Sequence, residues 1–193
     1  MFFLVLFSVT VIFLTSSNIL VFAQDDDQLK ELAEFHVKQA KHLEEKARNL
    51  TFHGDYELAT KEYEKSAEQY NEAVAYYELL HDFFNAAEYN GRASMAHKEA
   101  AIVHSLLNNL ELEITNWLLS NQFKAKSLNQ KGIFLFGENY ILPPKYQQFI
   151  VDNPNDIICK PGLELIFKAS NYSPACVKPP SISKLIERGW AIS

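Results

Sequence analysis

Apolar side chains recur at helical spacing through the first half of the chain, once the uncharged stretch before Gln24 is passed. They follow the i, i+3/i+4, i+7 rule of amphipathic helices, with Glu and Lys filling the other faces as solvated surface. The pattern predicts four helices, over about 27–50, about 56–80, Phe83 or Phe84 to about 107, and about 110 to Lys124 or Lys126. The third and fourth could instead form one long helix.

The second predicted helix carries a ladder of aromatic rings at seven-residue intervals. Its members are Tyr56, Tyr63, Tyr70 and Tyr77. Small or aliphatic residues lie three positions further along, which suits close packing against neighbouring helices. The ladder favours an aromatic helix seam over a cofactor platform. We also expect its rings to line an acidic groove for a partner, which makes these four tyrosines the candidate binding residues.

The third predicted helix has mostly Ala on its inner positions, which permits a neighbouring helix to approach closely. The fourth carries Leu112, Ile114, Trp117, Leu118 and Phe123.

Two segments resemble a tetratricopeptide repeat. The residues from His53 to Ala59 and from Tyr63 to Ala67 are similar to the second helix of that repeat, with Tyr56, Ala59 and Ser66 at its aromatic and small positions. A weaker echo from His81 to Ala87 follows at a shorter interval than the family's period of about 34 residues. The resemblance implies a helical hairpin stack with a protein-binding groove. A generic antiparallel bundle is the alternative.

The chain changes character after Lys126. All seven Pro lie at Pro143 or later, and short apolar runs replace the long Ala-rich ones. The pattern predicts a strand or buried loop at 132–137, a strand at 163–168, a partner strand at 175–178 and a short helix at 182–188. We expect a small α+β module, with Trp190 covering its sheet.

The last fifty or so residues resemble a module found at the C-terminus of archaeal exported and membrane-anchored proteins. The resemblance rests on Pro143-Pro144, Pro174-Ala175-Cys176-Val177-Lys178-Pro179 and Lys184-Leu185-Ile186-Glu187-Arg188-Gly189-Trp190, among other positions. It implies export and two paired Cys, and it transfers no activity.

The leader and the cysteines also indicate export. Met1–Ala23 is apolar and uncharged, which predicts a signal peptide cleaved after Ala23, with an uncleaved membrane anchor as the alternative. An even Cys count in an exported chain favours a disulfide between Cys159 and Cys176 over reactive thiols. Asn49 and Asn171 begin glycosylation sequons.

The charge distribution excludes one class of function. The net charge of −6 combines −8 over 24–126 with +2 over 127–193, so no segment has the basic excess of a nucleic-acid binder. Only one uncharged run is long enough to span a bilayer, which also excludes a polytopic membrane protein.

All six His lie in the helical half, which raises the possibility of a metal site. Glu78 and His81 match the Glu-x-x-His spacing of di-iron bundles, yet the chain has no second copy of that motif. We therefore treat both residues as weak metal candidates and expect no cofactor. The chain also lacks a P-loop, a Gly-rich dinucleotide turn and a nucleophile elbow.

The sequence thus predicts a mainly α protein with a helical domain over 24–126 and a disulfide-stapled α+β module over 127–193, after a leader over 1–23. The expected function is a non-enzymatic extracytoplasmic scaffold that binds a protein or peptide at the cell surface. It would contact no nucleic acid, and a membrane only through an uncleaved leader. A metal- or cofactor-binding helical bundle is the alternative.

Overall fold

The computed structural model describes residues 25–192, so the predicted leader lies outside the described residues. The helices are α1 (Asp26–His53), α2 (Tyr56–Leu79), α3 (Phe83–Leu106), α4 (Leu110–Phe136), α5 (Pro144–Gln147) and α6 (Ile182–Glu187). The strands are β1 (Glu164–Lys168), β2 (Pro174–Val177) and β3 (Ala191–Ile192), with short 3-10 turns at Pro154–Asp156 and Pro179–Ser181. The predicted fold class is confirmed: a stack of antiparallel helices followed by a small disulfide-stapled sheet.

Local chemistry explains where the long helices begin and end. Asp25 and Asp82 accept backbone N–H bonds at the starts of α1 and α3, as N-cap side chains do. Gly54 ends α1 in the left-handed conformation, with φ of +83°. Asn108 takes φ of +54° between α3 and α4, so these are two helices rather than one.

Each long helix packs against its neighbour in the chain, and the interior of α1, α2 and α3 combines Ala with Tyr. Three clusters run along it, and each contains at least two Ala and one Tyr. Ala permits the helices to approach closely while the rings fill the remaining space, which is the interdigitation that a dense core requires.

The end of α4 differs from the expectation. The helix continues to Phe136, so the segment 132–137, predicted as a strand or buried loop, is its last turns. In these turns the Tyr140 ring lies directly against the backbone of Gly132, where any Cβ would overlap it. The chain after α4 therefore folds back along the C-terminal half of that helix.

The C-terminal module consists of a small sheet, one disulfide and a short helix. β1 is the central strand and pairs antiparallel with both β2 and β3. The predicted disulfide is present, with the Cα atoms of Cys159 and Cys176 5.6 Å apart. Cys159 lies in the segment before β1, so the bond joins that segment, and not β1 itself, to β2. The predicted helix at 182–188 is confirmed as α6, and β3 was not predicted.

Candidate functional site

The tyrosine ladder of α2 is buried. Tyr63, Tyr70 and Tyr77 are each at most 5% exposed and Tyr56 is half-buried, so the rings line no solvent-open groove. The hydroxyl of Tyr70 donates to Glu44 of α1 at 2.9 Å, and its ring stacks on Tyr89 of α3. Burial raises the pKa of Tyr77 to about 12 and raises the pKa of Tyr70 further. This burial corrects the expectation of a Tyr-lined groove, because α1 and α3 cover the ladder on both sides.

The seam between α3 and α4 is polar, unlike the interior of the first three helices. We call its hydrogen-bonded pairs the polar ladder. They are His97–Asn116 at 2.8 Å, the Ser94 hydroxyl to the Ser120 carbonyl at 2.8 Å, Asn90–Gln130 at 2.7 Å and the Ser127 hydroxyl to the Ala87 carbonyl at 2.7 Å. Buried polar groups of this kind must be paired to avoid a large desolvation penalty. The ladder therefore sets the register of α4 on α3.

Glu64 of α2 extends the polar ladder across three helices. Its carboxylate accepts a hydrogen bond from the Asn116 amide at 2.9 Å and lies 3.2 Å from Nε2 of His104. Desolvation lowers the pKa of His97, against the opposing effects of its bond to Asn116 and of Glu64 and Glu68. A histidine in this setting favours the neutral form, so its role is to hold the seam together.

Because polar side chains point inward, several large apolar side chains of α4 point outward. Of the five apolar residues that the sequence placed on this helix, only Phe123 is buried. Leu118 is 58% exposed and Trp117 38%, while Leu112 and Ile114 are also exposed. The facing edge of α3 likewise leaves Phe84 and Met95 open, Met95 at 59%.

Phe84, Met95 and Trp117 border a groove that runs along the α3–α4 pair, which we call the outer groove. It consists of two adjoining depressions of about 550 and 410 Å³ that share Gly91, Met95 and Ser127. Its apolar lining comes from Phe84, Met95, Trp117, Leu128, Phe134 and Leu135. Small residues at its floor, Gly91 and Ser127, keep the depression open between the larger side chains.

Positive charge follows the edges of the outer groove. Lys98 and Arg92 come from α3, and Lys124 and Lys131 from α4. Glu88 is the one acidic residue among the described residues that line it, and Arg92 lies 3.5 Å from its carboxylate. The groove therefore combines large apolar side chains, a few small polar ones and exposed basic ones, although the helical half as a whole is acidic.

The other predicted site residues do not converge. Glu78 accepts a hydrogen bond from Gln130, and His81 is exposed in the turn before α3 with φ of +54°. Within residues 25–192, no group of three or more His, Cys, Asp or Glu side chains is arranged to hold a metal ion. Asn49 and Asn171 are both exposed, Asn49 on α1 and Asn171 in the β1–β2 turn.

The outer groove was not predicted, although a polar stripe on α4 indicates it. Asn116, Ser120, Ser127 and Gln130 recur at intervals of four, seven and three residues, which places a polar stripe along one face of α4. If that polar stripe is the buried face of α4, the apolar residues of the helix must lie on its exposed face.

Among the described residues, no helix is both long and apolar enough to cross a bilayer. No protein-family model, no curated protein and no solved structure matches the chain at a significant level.

Proposed function

We propose that this protein is a non-enzymatic extracytoplasmic scaffold that binds an amphipathic, acidic segment of a partner protein in the outer groove. One observation carries the proposal: α3 and α4 bury polar side chains between them and expose large apolar ones along a shared groove. Extended apolar patches of this kind mark interaction sites more often than idle surface.

The dimensions of the groove suit a helix. From Phe84 to Lys98 it follows α3 for about 21 Å at the rise of about 1.5 Å per residue, which matches about four turns of a partner helix. Such a helix would place apolar anchors at i, i+3/i+4 and i+7 between Phe84, Met95 and Trp117. This mode requires no rearrangement of α3 or α4.

The rim of the groove selects the sign of the partner's charge. Lys98, Lys124 and Lys131 would face the flanks of a bound helix, where Glu or Asp would be attracted and Lys or Arg repelled.

The compartment follows from the disulfide. The Cys159–Cys176 bond indicates an oxidising environment outside the cytoplasm. Secretion through the leader, and placement at the cell surface, remain part of the proposal.

A designed peptide pair tests the proposal. Two fluorescent 14-residue amphipathic helices share one apolar face, and their flanks carry either Glu or Lys. We expect the Glu peptide to bind about tenfold or more tightly than the Lys peptide in an anisotropy titration at low salt, because the rim is basic. Raising the salt concentration should narrow the difference.

Matched variants localise the binding. Met95→Glu should abolish binding of the Glu peptide, whereas Leu58→Glu should leave it unchanged, since Leu58 is a similarly exposed residue on α2. Circular dichroism should show the same helicity for both variants. Equal binding of the two peptides, or equal effects of the two substitutions, would contradict the proposal.

A further inference from the structure

The C-terminal module holds a second cavity, separate from the outer groove, which we call the module pocket. It has a volume of about 500 Å³ and is lined by residues of three segments: 140–145, 158–168 and Pro174 to Cys176 of β2. Small-molecule sites in proteins are typically mostly apolar concavities of about 300–1,000 Å³ with a few polar groups. The pocket has that size and that kind of lining.

Fixed contacts preform the walls of the module pocket. The Gln147 side chain donates to the carbonyls of Leu142 at 2.6 Å and Ile158 at 2.7 Å, and it accepts from the Ile158 N–H at 2.8 Å. The disulfide ties Cys159 to Cys176, which itself lines the pocket. The segments before and after α5 are therefore held together without a ligand.

The charges of the module pocket all have one sign. Lys145, Lys160 and Lys168 line it, and none of the described residues that line it is Asp or Glu. The Lys145 ammonium lies 4.7 Å from the centre of the Tyr146 ring, and that of Lys168 lies 5.6 Å from the centre of the Trp190 ring. Cation–π contacts restrain an ammonium group without neutralising its charge.

Apart from Tyr140, the rest of the lining consists of apolar side chains. They include Ile141, Leu142, Leu163 and Ala175, which can contact an aliphatic group but offer no side-chain hydrogen bond. An apolar concavity beside several lysines is complementary to a molecule with an aliphatic body and an anionic end.

We propose that the module pocket binds a small amphiphilic anion, namely a medium-chain aliphatic carboxylate whose chain packs on the apolar wall and whose carboxylate meets the lysines. This assigns a role to the module that is independent of partner binding by α3 and α4.

Calorimetry with four probes on the oxidised protein tests the chemistry. Sodium octanoate, below its micelle-forming concentration, should bind with one-to-one stoichiometry. Acetate, which lacks the chain, should not bind, and 1-octanol and octyltrimethylammonium should each bind about tenfold or more weakly, since both lack the charge-assisted bonds of a carboxylate. Similar affinities for octanoate, octanol and the cation would overturn the proposal, as would no binding of octanoate.

Variants of the same module test the location. Lys160→Gln combined with Lys168→Gln should weaken octanoate binding about tenfold or more, because two of the three cationic groups are lost. Lys178→Gln combined with Lys184→Gln, two exposed lysines outside the lining, should leave the affinity unchanged. Equal effects of the two pairs would contradict the assignment.

A blocking variant and a spectrum complete the test. Ala175→Trp fills the cavity and should abolish octanoate binding, provided that the amide NMR spectrum keeps its native dispersion. In the unmodified protein, octanoate should shift the amide signals of Ile141, Leu163 and Ala175 and leave those of α1 in place. Shifts that instead centre on the outer groove would show a non-specific apolar contact and overturn the proposal.

Discussion

The molecule has two kinds of buried helix interface. They are the interior shared by α1, α2 and α3 and the seam between α3 and α4, and their side chains differ in polarity. The first buries Ala and Tyr, and its helices are held mainly by apolar contact. The second buries Asn, Ser, His and Gln in the polar ladder. Apolar contact is non-directional, whereas a hydrogen-bonded ladder accepts only one register.

The difference determines what α4 presents to solvent. A helix that turns its polar face inward must turn its apolar residues outward, and Trp117 and Leu118 lie on that outer side. The chain after α4 covers one side of the helix near its end, where Tyr140 packs on Gly132. The side of α4 that borders α3 stays open and forms one wall of the outer groove.

The largest expected effect comes from the apolar interior. Tyr70→Ala should lower the free energy of unfolding by about 3–5 kcal/mol, as removal of a fully buried ring does. Tyr70→Phe keeps the ring and loses only the bond to Glu44, so we expect about 1 kcal/mol. Urea denaturation followed by circular dichroism measures both. A small effect of Tyr70→Ala would mean that the ring is not in the core.

Substitutions in the polar ladder should lower the free energy of unfolding by less than Tyr70→Ala does. Asn116→Ala removes the hydrogen-bond partner of His97 and one of the two contacts of Glu64, and we expect a loss of about 1–3 kcal/mol of unfolding free energy. Asn121→Ala, on the exposed side of the same helix, should change it by less than about 0.5 kcal/mol. If the two substitutions had the same effect in urea, the ladder would not hold the seam.

The polar ladder and the apolar interior should lose stability at opposite ends of the pH range. His97 has a lowered pKa when folded, so the unfolded chain binds more protons and stability falls as the pH drops below about 6.5. The buried tyrosines have raised pKa values, so their contribution is intact below pH 10 and is lost as the pH rises towards the folded pKa of Tyr77, about 12.

A histidine variant isolates the acidic limb of that profile. His97→Gln should flatten the loss of stability between about pH 7.5 and 5.5, whereas His42→Gln, on the exposed face of α1, should not. Thermal unfolding across the pH range provides the measurement. An unchanged acidic limb in His97→Gln would show that the seam does not disfavour protonation.

The sequence predicts the long helices well because their periodicity is strong and their caps are local. Asp25 caps the start of α1, Gly54 ends that helix and Asn108 separates α3 from α4. Each acts on backbone within one turn of itself. The end of α4 could not be read in this way, since Ile133 to Phe136 has the composition of a strand. The packing of Tyr140 on Gly132 in these last turns is a tertiary contact, which the local composition does not reveal.

The candidate site was less predictable for the same reason. A seven-residue spacing of Tyr indicates one face of α2, yet it does not say whether another helix covers that face. The covering residues, such as Tyr89 and Val103, belong to α3. The disulfide was predictable because only two Cys exist, whereas the course of the chain before β1, and hence the module pocket, was not.

The central claim is that the outer groove, and no other apolar surface, receives the partner. Site-specific photo-crosslinking tests it most directly, with p-benzoylphenylalanine placed at Met95 or, as the matched control, at Leu58, and with the protein incubated in a cell-surface extract. We predict a discrete crosslinked product from position 95 that maps to an acidic amphipathic segment of one protein, and none from position 58. Equal labelling from both positions, or a basic segment at position 95, would contradict the account.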